Sequence, residues 1–320
     1  MSRVSGYLTT ADGSTADLDA DRARRLLRDG TLFWLDLDRP TDSELGLLRQ
    51  VFGIHPLAAD DAAQFGQRPK LVEFDGFVQV VAYGARGMGD LVEVHCFCAE
   101  HYLVTIRRED CPAVTGLRTR LGRRTAGPAT PVVLLYLLLS GLADSFFPVL
   151  SGFDDRIDQL QDQIFEQPTQ QQLSELFTMK RWLIGVRKVV TPQRDMVASV
   201  ASGITELPGM TPDAQRYYRD LYDQLIRISD LVDSYRDLLT SSMDAHLSMV
   251  SQRLDSVMKQ LTVIATIVLP LSFLTGFFGQ NFAWLVGHIS GLPAFLGAGI
   301  GVEIVAMAVM LVLFRRRGLL

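Results

Sequence analysis

The pattern of apolar and polar positions divides the chain at Lys259. Through most of the chain upstream, a charged residue appears every few positions; downstream, no Asp, Glu, Lys or Arg occurs until Glu303. A stretch of that kind fits hydrocarbon better than a soluble core. Within it, residues 261–278 and 292–314 are each long enough to cross a bilayer, and the link between them, residues 279–291, carries no formal charge.

Upstream, the pattern is mixed α/β to about residue 130 and helical beyond. Residues 19–28 and 42–52 predict helices, the second N-capped by Thr41 or Asp42. Residues 32–37, which include Trp34, and 77–83, 91–98 and 101–107 predict strands, the last three in hairpin succession. Gly and Pro over residues 118–131 mark a boundary. Residues 132–139 are uncharged, but Asp144, Asp154 and Asp155 follow too soon for a membrane span, so the run reads as a packed helix in preference to a membrane-touching one. Gln167-Pro168 interrupts the helical pattern near a hairpin tip, and residues 173–190 resume it.

Thr211-Pro212-Asp213 opens a further helix, with Thr as N-cap, Pro at the first position and an acid in the first turn. No stop follows until Pro270, and membrane helices tolerate Pro. A helix over residues 212–279 spans roughly 100 Å at ~1.5 Å per residue. Such a length needs partners along it, which predicts an oligomer with a stalk running into the membrane. The expected fold class is α+β: a cytosolic α/β domain (1–130), a cytosolic helical region and stalk (131–259), and a membrane domain of two C-terminal transmembrane helices (260–320).

Charge places these parts. Arg253 and Lys259 precede the first span and Arg315, Arg316 and Arg317 follow the second, so the positive-inside rule sets both termini in the cytosol of a multi-pass inner (cell) membrane protein in contact with lipid. The N-terminal twenty residues lack an apolar core, which argues against a cleaved signal peptide. Net charge is −5 and no long basic tract accompanies stacking aromatics, which excludes nucleic acid as a partner class. Cys96, Cys98 and Cys111 are three, without CxxC spacing, and read as reduced, buried thiols; a Cys96–Cys98 metal pair is the alternative.

One helical face of the first span carries the chemistry. Asp255, Met258, Leu261, Ala265, Leu269, Ser272 and Gly276 recur at steps of three or four and form one stripe. It is polar at one end, apolar in the middle and small or polar at the other. Lipid has no use for that combination; a pore wall or a tight helix interface does. Glu303, in the second span, is either a proton or cation relay or a hydrogen-bonded acid against a neighbouring helix. The five histidines are scattered, and no phosphate-cradling Gly loop, HExxH or nucleophile–base pair is present, so the sequence does not read as an enzyme.

Residues 257–271, VMKQLTVIATIVLPL, resemble the first membrane helix of the CorA family of divalent-cation transporters. Gly276-Phe277-Phe278-Gly279-Gln280-Asn281-Phe282 resembles that family's Tyr-Gly-Met-Asn-Phe signature, with Gln280 in place of Met. His55-Pro56-Leu57, Gln67-Arg68-Pro69-Lys70 and residues 218–223 resemble its soluble domain. The resemblance implies a funnel-shaped homopentamer in which five first spans line an axial pore. Gly279, Gln280 and Asn281 would form the selectivity mouth, and Asp255, Met258, Leu261, Leu269, Ser272 and Gly276 the pore wall. Mg²⁺ would be both the transported and the regulatory ion, with no organic cofactor. Asp220 would fall at an intersubunit regulatory site, with Asp90 a candidate for its acidic partner. The departure at Gln280, together with His288 in an outer loop free of acids, keeps a Zn²⁺ or other transition-metal transporter resembling ZntB, with or without proton coupling, as the alternative.

Overall fold

The computed structural model describes residues 6–10, 13–17, 19–123, 130–280, 283–288 and 291–316. It forms two compact units, Met1–Met243 and Asp244–Leu320.

The first unit is built on a seven-stranded sheet of order β2-β1-β3-β7-β6-β5-β4. Its strands are β1 (Gly6–Thr10), β2 (Thr15–Asp17), β3 (Phe33–Asp38), β4 (Lys70–Phe74), β5 (Phe77–Gly87), β6 (Asp90–Ala99) and β7 (Tyr102–Arg107). β3 and β7 pair in parallel; every other pair is antiparallel. The predicted strands at 32–37, 77–83, 91–98 and 101–107 are found as β3, β5, β6 and β7, with β5 running four residues further. Edge strands β2 and β4, and β1 beside β2, are additions that the sequence pattern did not disclose.

Helices α1 (Ala20–Arg28), α2 (Asp42–Phe52) and α3 (Pro56–Ala63) cover one sheet face. Leu8, Phe33, Leu35, Leu37, Phe97, Val104 and Ile106 meet Leu48, Ala58 and Ala62 there, all essentially inaccessible to water. Of the two proposed caps of α2, Thr41 is the one used: its hydroxyl accepts from the Glu44 N–H at 3.4 Å, and Glu44 reaches back to the Thr41 N–H at 2.7 Å.

α4 (Pro112–Gly122) leads to α5 (Pro131–Asp144), which lies on the opposite sheet face. Gly84 of β5 makes this approach possible, since a Cβ there would sit 2.8 Å from Ser145 Oγ and 2.9 Å from Leu142 Cδ2. Ser145 Oγ accepts from the Ala85 N–H at 2.7 Å. The uncharged run at 132–139 is therefore a packed helix, as its pattern predicts.

α6 (Phe146–Glu166), α7 (Gln170–Ala201) and α8 (Pro212–Phe278) follow. Each buries residues in alternating steps of three and four. These are Phe146, Leu150, Phe153, Ile157, Leu160 and Ile164 in α6, Leu176, Met179, Leu183, Val186 and Val190 in α7, and Ala214, Tyr218, Leu221, Leu225, Ile228, Val232, Tyr235 and Leu239 in α8. That is the heptad seam of helices packed nearly side by side. Polar pairs tie the three together: Arg156–Glu175 (2.6 Å), Gln161–Ser242 (2.9 Å), Lys180–Thr240 (2.8 Å) and Arg187–Asp233 (3.3 Å). α8 begins on the predicted Thr211 cap, whose hydroxyl accepts from the Ala214 N–H at 3.1 Å. It runs 67 residues with Pro270 inside.

The second unit holds the end of α8, a short α9 (Ala283–His288) and α10 (Leu292–Arg316), a helix with a π-helical stretch at Phe295–Gly301. α8 and α10 are both long and apolar enough to cross a membrane.

Candidate functional site

The end of α8 has two unlike faces. Val263 is buried, and Ile267, Pro270, Leu271 and Leu274 are half-buried. At about 100° per residue these centre on one side of the helix, and the stripe Asp255, Met258, Leu261, Ala265, Leu269, Ser272 and Gly276 centres about 180° away. Every residue of that stripe is exposed in the single chain; Leu269 reaches 75%, Met258 and Leu261 58% each. The stripe therefore points away from whatever its own chain supplies.

Two details of the stripe bear on what it meets. A Cβ added at Gly276 would touch nothing among the described residues, so their packing does not demand glycine there. Of the four hydroxyl side chains between residues 260 and 278, Thr262, Thr266 and Thr275 donate to carbonyls four residues back, at 2.7–2.8 Å. Ser272 is exposed and makes no such bond among the described residues. Asp255, at the far end, forms no ion pair among the described residues.

Past the helix, the Gly279 N–H donates to Thr275 O at 2.9 Å and the Gln280 N–H to Phe277 O at 3.3 Å, closing the last turn and leaving Gln280 exposed. Asn281, the third residue of the motif, lies outside the described residues, as does Arg317 of the terminal arginine cluster. Glu303 does not face the stripe. Its Oε1 is 2.6 Å from the Thr275 hydroxyl on the flank of α8, which is the hydrogen-bonded arrangement against a neighbouring helix.

Asp220 sits on α8 of the first unit, exposed, 3.5 Å from the Tyr136 hydroxyl. Burial, and then the Asp220 charge, pushes the Tyr136 phenol up from its ordinary value. Asp90 is held instead by Arg86 at 2.9 Å. Asp223, Asp230 and Asp237 follow at seven-residue intervals, on the side of α8 away from its buried seam and with no ion pair among the described residues. Among the described residues no three His, Cys, Asp or Glu side chains converge to hold a metal. Cys96 and Cys98 are fully buried, and burial pushes the Cys98 thiol up to about 12, which suits packing and not ligation.

Sequence reasoning missed two polar clusters in the first unit. Asp36, 1% exposed, accepts from Thr105 Oγ1 (2.8 Å), Arg107 (3.2 Å) and Arg118 (2.7 Å). Glu93 accepts from the Gly66 N–H (2.5 Å) and pairs with buried His95 (2.8 Å). Isolated charges within apolar strands were the available signal.

A family model described as CorA-like Mg²⁺ transporter protein matches residues 29–316. The cobalt/magnesium transport protein CorA of Thermotoga maritima is 31% identical over 243 residues, 74% of this chain and 69% of that protein. The zinc transport protein ZntB of Yersinia enterocolitica is 24% identical over 262 residues, 80% of this chain and 78% of that one. The complete structure of the CorA magnesium transporter from Methanocaldococcus jannaschii matches with a TM-score of 0.81 at 21% identity, over 100% of both chains, a likeness of fold. A match through the sheet, the bundle and both apolar helices places this chain in the family of CorA-like Mg²⁺ transporters, a family of divalent-cation transporters and not of enzymes.

Proposed function

We propose that the chain carries Mg²⁺ inward across the cell membrane through a homopentameric pore lined by the α8 stripe. The observation that carries this reading is the stripe's direction. A face bearing Asp255, an exposed Ser272 and a Gly276 whose Cβ would meet none of the described residues is turned away from the chain's own packing. Copies of the same face around an axis give it a use that lipid does not.

In this reading the sheet domain and bundle lie in the cytosol with both termini, and 260–320 form the membrane part. Mg²⁺ gives up its waters reluctantly. Amide oxygens of Gln280 and Asn281 at the mouth accept hydrogen bonds from a hydrated ion without stripping it, and Gly279 lets the chain turn there. Met258, Leu261 and Leu269 form apolar constrictions that dewet when narrow. Asp255 concentrates cations at the cytosolic end. Asp220 and the heptad-spaced aspartates repel their counterparts on neighbouring copies until Mg²⁺ neutralises them, so that Mg²⁺ closes the ring.

A second reading, Zn²⁺ transport coupled to protons, draws on the likeness to ZntB and on Glu303 beside Thr275. Flux into proteoliposomes with Mg²⁺, Co²⁺, Ni²⁺ and Zn²⁺ in parallel, with and without a pH gradient, separates the two. Mg²⁺ flux indifferent to the gradient supports the first. Gradient-dependent Zn²⁺ flux without Mg²⁺ flux supports the second, and no flux of any ion sinks both.

A further inference from the structure

A groove in the first unit, away from the pore stripe, gathers positive charge on a chain whose net charge is −5. It has a volume of about 670 Å³ and is lined by Arg68 before β4, by Arg187 and Lys188 on α7, and by Arg236 on α8, with Ile184 and Pro192 as an apolar wall. That volume lies in the range of small-molecule clefts, roughly 300–1,000 Å³.

The cations are poorly matched from within. Arg187 and Arg236 share one carboxylate oxygen, Asp233 Oδ1, at 3.3 and 2.8 Å. Arg194, next to Pro192 and Gln193, pairs with Asp195 of the groove lining at 2.9 Å. Four cations thus line the groove with one carboxylate, Asp195, an excess of three on the lining itself. Arg68 and Lys188 have no acidic partner among the described residues, and Arg236 Nε is buried without an acceptor. A solvated helix face would place its charges along one element; these converge from three. What the groove lacks is a set of acceptor oxygens with about three negative charges.

We propose that this groove binds a polyphosphate anion of the nucleoside-triphosphate class. The arginines would grip phosphate oxygens in the forked geometry that guanidinium favours, Lys188 would add a point charge, and Ile184 and Pro192 would offer a flat apolar surface to the base. Because α7, α8 and the segment before β4 all contribute, occupancy would brace the same helices from which the α8 stripe continues.

The test is isothermal titration of the full-length protein in detergent micelles with ATP, inorganic pyrophosphate and adenosine, each without divalent metal. Saturable binding of ATP and pyrophosphate, but not adenosine, is expected, weakening as salt screens the groove. The double variant Arg68→Ser/Lys188→Ser should weaken ATP binding by roughly tenfold or more. Both side chains are exposed and unpaired, so its melting temperature should match the wild type. Lys188→Gln alone gives a smaller loss of the same sign, and Arg24→Ser, on α1, gives none. A short-chain phosphatidylglycerol that binds where ATP does not would make the occupant a lipid headgroup and overturn the nucleotide assignment. Binding unchanged in the double variant, or no saturable heat with either polyphosphate, would overturn the site. A protein in which ATP binds only after dissociation to monomers would show that an acidic segment of a second copy fills the groove, which also overturns it.

Discussion

α5 and the last third of α8 are two regions with nearly the same apolar texture and opposite surroundings. A window of 18 residues running from α5 into α6, and another in α8, are each apolar enough to be taken for a membrane span. In α5, Val132, Leu134, Leu135, Leu138 and Leu142 are almost wholly buried. In α8 only 6% of the corresponding window is buried, and in α10 none is. α5 has a sheet to lie on: Gly84 opens the space, and the Tyr218 hydroxyl donates to Val132 O at 2.9 Å near the helix start. Hydrophobicity alone states only that water must be kept away. Whether the chain, the lipid or another copy does so depends on whether the fold supplies an opposing surface.

The same contrast holds for charge, and it yields the largest expected effect. Asp36 in the first unit has three donors around it, with Arg118 also stacked over the Tyr7 ring at 4.5 Å. Asp36→Ala leaves Arg107 and Arg118 without their buried counter-charge and should destabilise the soluble unit by about 3–5 kcal/mol in urea unfolding. Glu303 in the second unit meets the Thr275 hydroxyl. Glu303→Gln keeps a hydrogen-bonding group there and should change stability by less than about 1 kcal/mol. It should also leave Mg²⁺ flux intact, whereas gradient-driven Zn²⁺ flux lost in that variant would favour the proton-coupled reading.

Two leucines break the comparison in a single experiment. Leu135, fully buried under the sheet, should cost about 3 kcal/mol as Leu135→Ala, within the usual range for core truncations. Leu269→Ala, at 75% exposure, should leave unfolding of the soluble unit within about 0.5 kcal/mol of wild type. Its consequence should appear instead as raised flux through a wider apolar constriction. Leu269→Ala that unfolds the soluble unit, or leaves flux unchanged, would remove it from the pore wall.

Much of this architecture was legible beforehand, and the gaps have physical causes. The aromatic and aliphatic run of β3, the Val-containing runs of β5, β6 and β7, the Thr41 and Thr211 caps and the two apolar helices carry strong local signals. β1, β2 and β4 do not: they are short strands of three to five residues at the two ends of the sheet, and Lys70-Leu71-Val72-Glu73-Phe74 interleaves charges with apolar groups. The stripe on α8 could be drawn from periodicity, but its direction could not, because a helix face is defined by what lies opposite. The partner of Glu303 lies 28 positions back in the chain and becomes visible only when the two helices are placed together. Asp36 and Arg107 are likewise brought together by the parallel pairing of β3 with β7, and Arg118 reaches them from α4, which no local pattern encodes.

The approach of α5 to the sheet can be tested at its tightest point. Gly84→Ala drives a Cβ against Ser145 Oγ and Leu142 Cδ2, and α5 must shift or the strand must bend. Overpacking of this kind should destabilise by about 1–3 kcal/mol. Gly276→Ala meets nothing among the described residues, so any loss it causes should appear in flux or assembly and not in unfolding of the soluble unit.

The smallest expected effect is an acid sensitivity confined to the soluble unit. Burial on its own would raise the Glu93 carboxyl, but hydrogen bonds from His95, the Gly66 N–H and Tyr83, with the His95 charge, outweigh it and hold the group below its ordinary value. A carboxyl lowered in the folded state contributes stability that is complete above its unfolded value, about 4.3 for glutamate, and is lost as pH falls from there through the folded value. Thermal melts of the wild type should therefore drop more steeply below about pH 4.3 than those of Glu93→Gln, whose amide has no charge to lose. The difference between the two acid limbs should be about 1 kcal/mol, the net worth of one hydrogen bond. Tryptophan fluorescence can follow it, because Trp34 and Trp182 are buried in the first unit while Trp284 lies exposed in α9 of the second. Equal acid limbs in the two proteins would mean that the loop at Gly66 and Gln67 is held by packing, with Phe65 against the His95 ring at 4.7 Å, and not by the Glu93 charge.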